Sequence, residues 1–325
     1  MRDLAPIVIF AWRRPKLFYQ TLLSLSKCDL FDKSHVFIFI DGPRNPDDQT
    51  KISETIKIAE NIRSEKLEIY KREENLGLKK NIKDGISKII SKYGKAIVIE
   101  EDMIFSKDFL IFMNKFLNEY SDSPDVFSIT GYSPPIRIPD DYPYSVFFFF
   151  RTSSWGWGTW GRVWNEFESL KISEHDIKSL LNDPVELNKF CAGGYDLKDI
   201  IVKAFGKSWS IEFDYYCYKN SALCLYPTRT KLKHIGFREG ENVGFQRLKL
   251  IDFPFDQQSF QESYFYPKKP FVDWRIFCEF HRYINEITKP PSFYEKILFY
   301  FTEFPFRPKF VLKKVFDKMF RSFKA

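Results

Sequence analysis

Apolar residues along this chain follow two alternating rhythms. Four short runs, "PIVIFAW", "HVFIFIDG", "KLEIYKREENLG" and "KAIVIEED", are rich in β-branched and aromatic residues and predict strands. Segments of helical spacing separate them. Leu17, Thr21, Leu22 and Leu25 recur in "PKLFYQTLLSLSKC"; Ile52, Ile56, Ile58, Ala59 and Ile62 share a stripe in "DDQTKISETIKIAENIRS". "LKKNIKDGISKIISKYG" reads as a third helix, with Gly94 as its C-cap, and "SKDFLIFMNKFLNEYS" as a fourth, with Ser106 as its N-cap. The order β-α-β-α-β-α-β-α, with continuously apolar strands, predicts an α/β fold: a mainly parallel sheet covered by helices on both faces. Ligands bind such sheets at the carboxyl ends of the strands. Asp41, Asn75 and the triplet Glu100, Glu101, Asp102 all fall at carboxyl ends, so three polar strand ends converge on one rim.

Beyond residue 120 the pattern is irregular. "VFSITGYSPP" and "YSVFFFFRTSSWGWGTWGRVW" read as strands and aromatic loops. "SWSIEFDYYCYKN" predicts a helix entered through Ser208 or Ser210, and "ALCLYPTRTKLKHIGF" a single late strand. From about Leu248 the α/β rhythm is lost, which divides the chain into a domain over 1–247 and an extension over 248–325.

Several of these stretches carry candidate chemistry. Three adjacent carboxylates repel one another and raise each other's pKa, and a divalent cation removes that repulsion. Alternation along an extended chain sends Glu100 and Asp102 one way and Glu101 the other. The bland alternative is a solvated turn. Asp41 can accept from a base or ribose, or close an Asx turn before Gly42. In "ENLGLKKNI", Asn75 and Gly77 form either an ordinary left-handed turn or a close approach to a ligand. Lys79 and Lys80 open the next helix, where the dipole disfavours cations and a phosphate would favour them. Four Trp among three Gly, from Trp155 to Trp164, make a poor core loop, which favours a stacking site at Trp155 and Trp157. Glu212 and Asp214 stand at a helix start, either as dipole partners or as a general base. His234 is a lone histidine, which can serve a metal or simply pack.

Composition narrows the class. Of 325 residues, 44% are hydrophobic and 29% charged, a globular balance. The 36 Phe exceed the needs of one core, so some are expected at a surface. A formal charge of +7 suits an anionic partner, while the absence of a basic helix-turn-helix or zinc-finger spacing argues against nucleic acid. Five cysteines without a CxxC pair argue against a disulfide framework and for a reducing compartment. Neither a signal peptide nor a membrane-spanning run is expected.

Taken together, "PIVIFAWRRPKLFYQTLLSL", "FIDGPRN", "NLGLKKNI", "VIEEDMIFSKDFLIFM", "SSWGWGTWGRVW" and "LYPTRTKLKHIGF" resemble the GT-A (Rossmann-like) glycosyltransferases. They resemble in particular bacterial sugar transferases distantly similar to N-acetylglucosaminyltransferase I, and they cover roughly residues 5–240. The resemblance implies a mixed, mainly parallel sheet and sugar transfer from a nucleotide-sugar, a UDP-sugar in the first instance, to a glycan or lipid-linked acceptor with inversion. It implies that the triplet is a DxD-like motif, with Asp102 as ligand to Mn²⁺ or Mg²⁺ and Glu101 and Glu100 in support. His234 is grouped with the metal. Ala11, Trp12, Arg13 and Asp41 fall to the nucleotide, with Asn75, Gly77, Lys80, Trp155 and Trp157 joining the donor site. The base falls to Asp214, or to Glu212, because the acid is displaced from where the family's motif expects it. That displacement keeps one rival in play, a catalytically inactive carbohydrate-binding or scaffold protein on the same fold. A sugar-nucleotide pyrophosphorylase needs a Gly-rich loop after the first strand, and "IVIFAWRRPKLF" has none.

The tail adds a partner. Residues 294–325 hold eight Lys/Arg against three acids, +5 of the chain's +7. Leu312, Val315, Phe316, Met319, Phe320 and Phe323 form a helical stripe flanked by Lys313, Lys314, Lys318, Arg321 and Lys324. A basic, Phe-rich amphipathic helix suits an anionic membrane surface, or else packs onto the catalytic domain. The resemblance implies the membrane's cytoplasmic face and a part in surface polysaccharide synthesis.

Overall fold

A computed structural model describes residues 4–236 and 255–289. The membrane-tail reading of 294–325 lies outside the described residues.

The first half follows the predicted rhythm. β1 (Ile7–Ala11), α1 (Pro15–Leu25), β2 (Val36–Ile40), α2 (Gln49–Glu60), β3 (Leu67–Lys71), α3 (Leu78–Tyr93), β4 (Lys95–Glu100) and α4 (Phe109–Glu119) appear in order, with β5 (Met103–Phe105) between β4 and α4. Every residue of β1 and β2 is buried, because helices cover both faces of the sheet. Gly94 closes α3 in the left-handed conformation at φ 74°, as expected of a C-cap glycine. Ser106 does not cap α4. The N-cap is Asp108, and Ser106 Oγ donates to its carboxylate at 2.7 Å.

The second half is mixed. β6 (Val126–Thr130), β7 (Val146–Phe149) and β8 (Trp157–Trp160) precede a helical run, α5 (Gly161–Ser169), α6 (Glu174–Asn182), α7 (Pro184–Phe190) and α8 (Leu197–Ala204). Then come α9 (Trp209–Lys219), β9 (Leu223–Pro227), β10 (Leu232–His234) and α10 (Trp274–Thr288). The expected late strand is therefore two strands in different sheets.

The main sheet has the order β3-β2-β1-β4-β8-β6-β9-β7. β1 pairs in parallel with β2 and β4, β2 with β3, and β6 with β9, while β8 runs antiparallel to both β4 and β6. This is the mixed, mainly parallel α/β sheet that the pattern implied. A second, two-stranded sheet pairs β10 with β5, setting His234 opposite Met103. It is this small sheet that brings the late strand to the acidic end of β4. Residues 255–285 belong to the same compact unit as the chain up to Gly236. Tyr264 is buried there, its hydroxyl donating to Asp108 at 2.8 Å.

Candidate active site

The acidic triplet sits where β4 ends and the chain turns into β5. The strand stops at Glu100, so alternation does not extend to its neighbours. Glu101 and Asp102 both turn toward one cation, Arg14, whose Nε donates to Glu101 Oε1 at 2.5 Å and whose Nη1 reaches Asp102 Oδ2 at 2.7 Å. Glu101 Oε2 also accepts from the Trp12 amide at 2.6 Å. Burial pushes the Glu101 carboxyl up, and Arg14 and the Trp12 amide pull it back down. Glu101 is thus a brace between the β1 loop and the triplet. Glu100 is half-buried at the strand end, opposite Phe10.

Asp102 is 4% exposed, and among the described residues its Oδ1 accepts from no backbone amide. His234 Nε2 stands 3.3 Å from that atom. Such a spacing suits two neighbouring ligands of one cation, since metal–ligand bonds near 2.1 Å at right angles put donors about 3 Å apart. The Ile235 amide donates to the Asp102 carbonyl at 2.8 Å, and a Cβ on Gly236 would lie 2.2 Å from Asp102 Oδ2. Only glycine lets that backbone lie so close to the carboxylate. The Gly236 amide donates to His234 Nδ1 at 3.1 Å, which leaves the ring proton on Nε2, facing Asp102; taking a cation at Nε2 requires that proton to shift to Nδ1 and the Gly236 bond to be given up. Among the described residues no cluster of three or more His, Cys, Asp or Glu side chains forms a metal cage. One carboxylate oxygen and one imidazole fit an ion that takes its other ligands from diphosphate and water, as Mg²⁺ and Mn²⁺ commonly do.

Asp41, at the end of β2, is differently placed. Its Oδ1 accepts from the Gly42 amide at 3.0 Å and the Leu76 amide at 2.8 Å, and its Oδ2 from the Gly77 amide at 3.1 Å. Asn75 Nδ2 donates to the Gly42 carbonyl at 2.8 Å. Gly77 has φ 74° and a Cβ on Gly42 would sit 2.5 Å from the Glu74 backbone, so both glycines are needed for the turn. Trp12 Nε1 donates to that same Gly42 carbonyl at 2.9 Å. The Arg13 and Arg44 guanidiniums lie 4.3 and 4.1 Å from the Trp12 ring, and Arg13 Nη1 pairs with Asp48 at 2.7 Å. Ala11 is buried in β1, and its carbonyl accepts from the Asp41 amide at 3.0 Å. Lys80 is exposed and lines, with Leu76, Gly77, Lys79 and Gly206, a cavity of about 630 Å³.

The aromatic segment divides. Trp155 is half-buried, its ring 5.0 Å from His234 and 4.6 Å from Tyr132. Trp157 is not a surface platform. It is 1% exposed in β8 and stacks on Trp209 at 5.1 Å in the core. Its neighbour Gly158 serves strand pairing, since a Cβ there would press on the Ala96 carbonyl at 2.9 Å. The glycines that looked like loop signals admit close packing of β8 on β4.

The residues from 151 to 156 link His234 to α9. Trp155 meets His234, and Thr152 donates to Asp214 Oδ1 from its amide at 2.8 Å and its hydroxyl at 2.7 Å. Both of these hydrogen bonds fall on one oxygen. Burial pushes the Asp214 carboxyl up to about 6, against the lowering effect of Arg151 and Thr152. Arg151 itself is committed to Asp196 through two bonds of 2.7 and 3.0 Å. Glu212 lies on another side of α9, paired with Lys79 Nζ at 2.6 Å and accepting from the Gly206 amide at 3.1 Å. That pairing favours a structural anchor over a base. Arg14 was not singled out from sequence as a site residue; the tandem "RRP" after β1 was the available signal for a counter-ion to the triplet.

No family model matches the chain. No curated protein matches it. Among solved structures it is similar to S. aureus TarS, at 10% identity and a TM-score of 0.43, over 72% of this chain and 37% of that one. It is similar to S. aureus TarS 1-349, at 14% identity and 0.45, over 75% and 64%. A third is the mannosyltransferase PcManGT from Pyrobaculum calidifontis in complex with GDP-Man and Mn²⁺, at 11% and 0.37, over 67% and 72%. The chain spans less than two thirds of the length of either TarS structure. Similarity this low assigns neither a family nor an activity.

Proposed function

We propose that the chain is a metal-dependent glycosyltransferase that moves a sugar from a nucleotide-sugar, of the UDP-sugar class, to an acceptor hydroxyl with inversion. The observation that carries this reading is the buried Asp102 carboxylate at the end of β4, whose Oδ1 faces His234 Nε2 at 3.3 Å. The desolvated Asp214, reached through the same 151–156 segment, supports it.

Asp102 and His234 would hold the cation. When bound, it supplies positive charge that stabilises the departing diphosphate. Arg14 and Glu101 fix the orientation of Asp102. Trp12 and Arg13, with the turn at Asn75 and Gly77, border the nucleotide, and Trp155 offers a ring beside the donor sugar. With its carboxyl at about 6, Asp214 is ionised at neutral pH yet remains a competent proton acceptor. It takes the proton of the acceptor hydroxyl as that oxygen bonds to the anomeric carbon. The bond from that carbon to the diphosphate oxygen breaks, its electron pair leaves on the diphosphate, and the proton stays on Asp214.

The acceptor is a glycan or lipid-linked glycan of surface polysaccharide synthesis, approached from the cytoplasmic face of a membrane through residues 294–325. A panel of nucleotide-sugars assayed for Mn²⁺-stimulated hydrolysis tests the reading. One donor should be turned over by the wild type. No turnover and no thermal shift with any donor, with or without metal, would favour the inactive scaffold.

A further inference from the structure

Lys79 is placed against local preference. It lies in the first turn of α3, where no acid is present and where the helix dipole disfavours a cation. Its Nζ reaches across to Glu212 Oε1 at 2.6 Å and to the Gly206 carbonyl at 3.2 Å. Glu212, in the first turn of α9, is 7% exposed, and the same Oε1 accepts the Gly206 amide at 3.1 Å. Gly206 holds φ 76°, a conformation that suits glycine. Three groups from α3, α9 and the turn before α9 therefore close one clamp.

The two ends of this clamp meet different parts of the site. Two residues before Lys79, Gly77 is held by Asp41, as is Leu76. Two residues after Glu212 comes Asp214. Two helical positions amount to about 200° of rotation, so the clamp grips α9 on the side away from Asp214. Thr152 grips Asp214 on its own side.

We propose that the Lys79–Glu212 pair is a positioning device that fixes α9, and with it Asp214, relative to the Asp41 turn on which the donor rests. The proposal rests on the reading of Asp214 as base. Lys79 and Glu212 act through Asp214 and touch no reacting atom. A helix displaced by about 1 Å costs on the order of a hundredfold in rate, whereas donor affinity, set by other groups, is spared.

The test uses the full chain, Mn²⁺ and the nucleotide-sugar that the wild type hydrolyses fastest, with its nucleoside diphosphate as the binding probe. Lys79→Met should lower kcat by roughly ten- to a hundredfold while diphosphate affinity stays within about twofold. Lys79→Arg should restore most of the rate. If Lys79→Met does not fold, Glu212→Gln, which keeps the shape and removes the charge, carries the same expectation. Wild-type kcat in a folded variant overturns the proposal. So does a loss of diphosphate affinity equal to the loss of rate, since Lys79 would then be a donor contact in the cavity it lines. Asp214→Asn run alongside separates the two ideas. If Asp214→Asn turns over normally, the base reading fails; if it is inactive and Lys79→Met is normal, only the positioning role fails.

Discussion

Asp41 and Asp102 are alike in sequence and opposite in structure. Each is an acid at the end of a buried strand in the parallel half of the sheet, and each is about as buried as the other. Asp41 spends both oxygens on three backbone amides and thereby builds the turn at 75–77. Asp102 has one oxygen on Arg14 and one that, among the described residues, faces only the His234 imidazole at 3.3 Å. A saturated carboxylate holds a fold together; a buried, half-saturated one is held ready for something else. Hydrogen-bond saturation, more than position on the rim, separates scaffold from site.

The largest effect expected from this contrast is at Asp102. Asp102→Ala should lose at least about a thousandfold in metal-stimulated turnover while still folding, because Arg14 keeps Glu101 as a partner. Normal turnover would move the site elsewhere.

Asp214→Asn should come next, losing roughly a hundred- to ten-thousandfold in turnover while keeping donor binding. The wild-type rate should fall as pH drops below about 6, where Asp214 takes up its proton. The same residue makes a stability prediction of opposite sign. Its folded pKa is raised above the ordinary carboxylate value of 3.8, so between these two pH values the folded protein binds more protons than the unfolded chain. Stability therefore falls as pH rises through that window, by about 3 kcal/mol in all. Asp214→Asn should remove this dependence and melt higher than wild type at pH 8. A variant that melts lower at pH 8 would make Asp214 a structural acid like Asp41.

The smallest effect on chemistry, and the clearest on stability, belongs to Asp41. Asp41→Ala leaves the buried amide of Gly42 and the half-buried amides of Leu76 and Gly77 without their acceptor, at a cost of roughly 2–4 kcal/mol. Thermal melts should show it directly, and at temperatures where the variant is folded its metal affinity should match wild type.

Legibility followed the same divide. The strands β1, β2 and β4 could be read because continuous burial writes itself as continuous apolar runs, and α1–α4 because their stripes face one sheet. β5 and β10 are three residues each, too short to carry a period, yet their pairing is what sets His234 beside Asp102. The helices α5–α8 escaped because "RVWNEFES" and its successors follow a run of Trp and Gly that reads as loop. Trp157 was misplaced for the same reason. Its glycine neighbour signals backbone proximity, and sequence does not say whether the approaching group is a ligand or the next strand. Asp102 and Asp214 were reached by resemblance, while their partners Arg14 and Thr152 lie close to them only in space.

The most direct test of the central claim is a Mn²⁺ titration, followed by the electron spin resonance of free Mn²⁺, of the full chain with a nucleoside diphosphate present. One ion should bind per wild-type chain, and Asp102→Asn and His234→Ala should each weaken it at least tenfold, with Asp41→Asn unchanged. Equal Mn²⁺ affinity in wild type and Asp102→Asn would contradict the account.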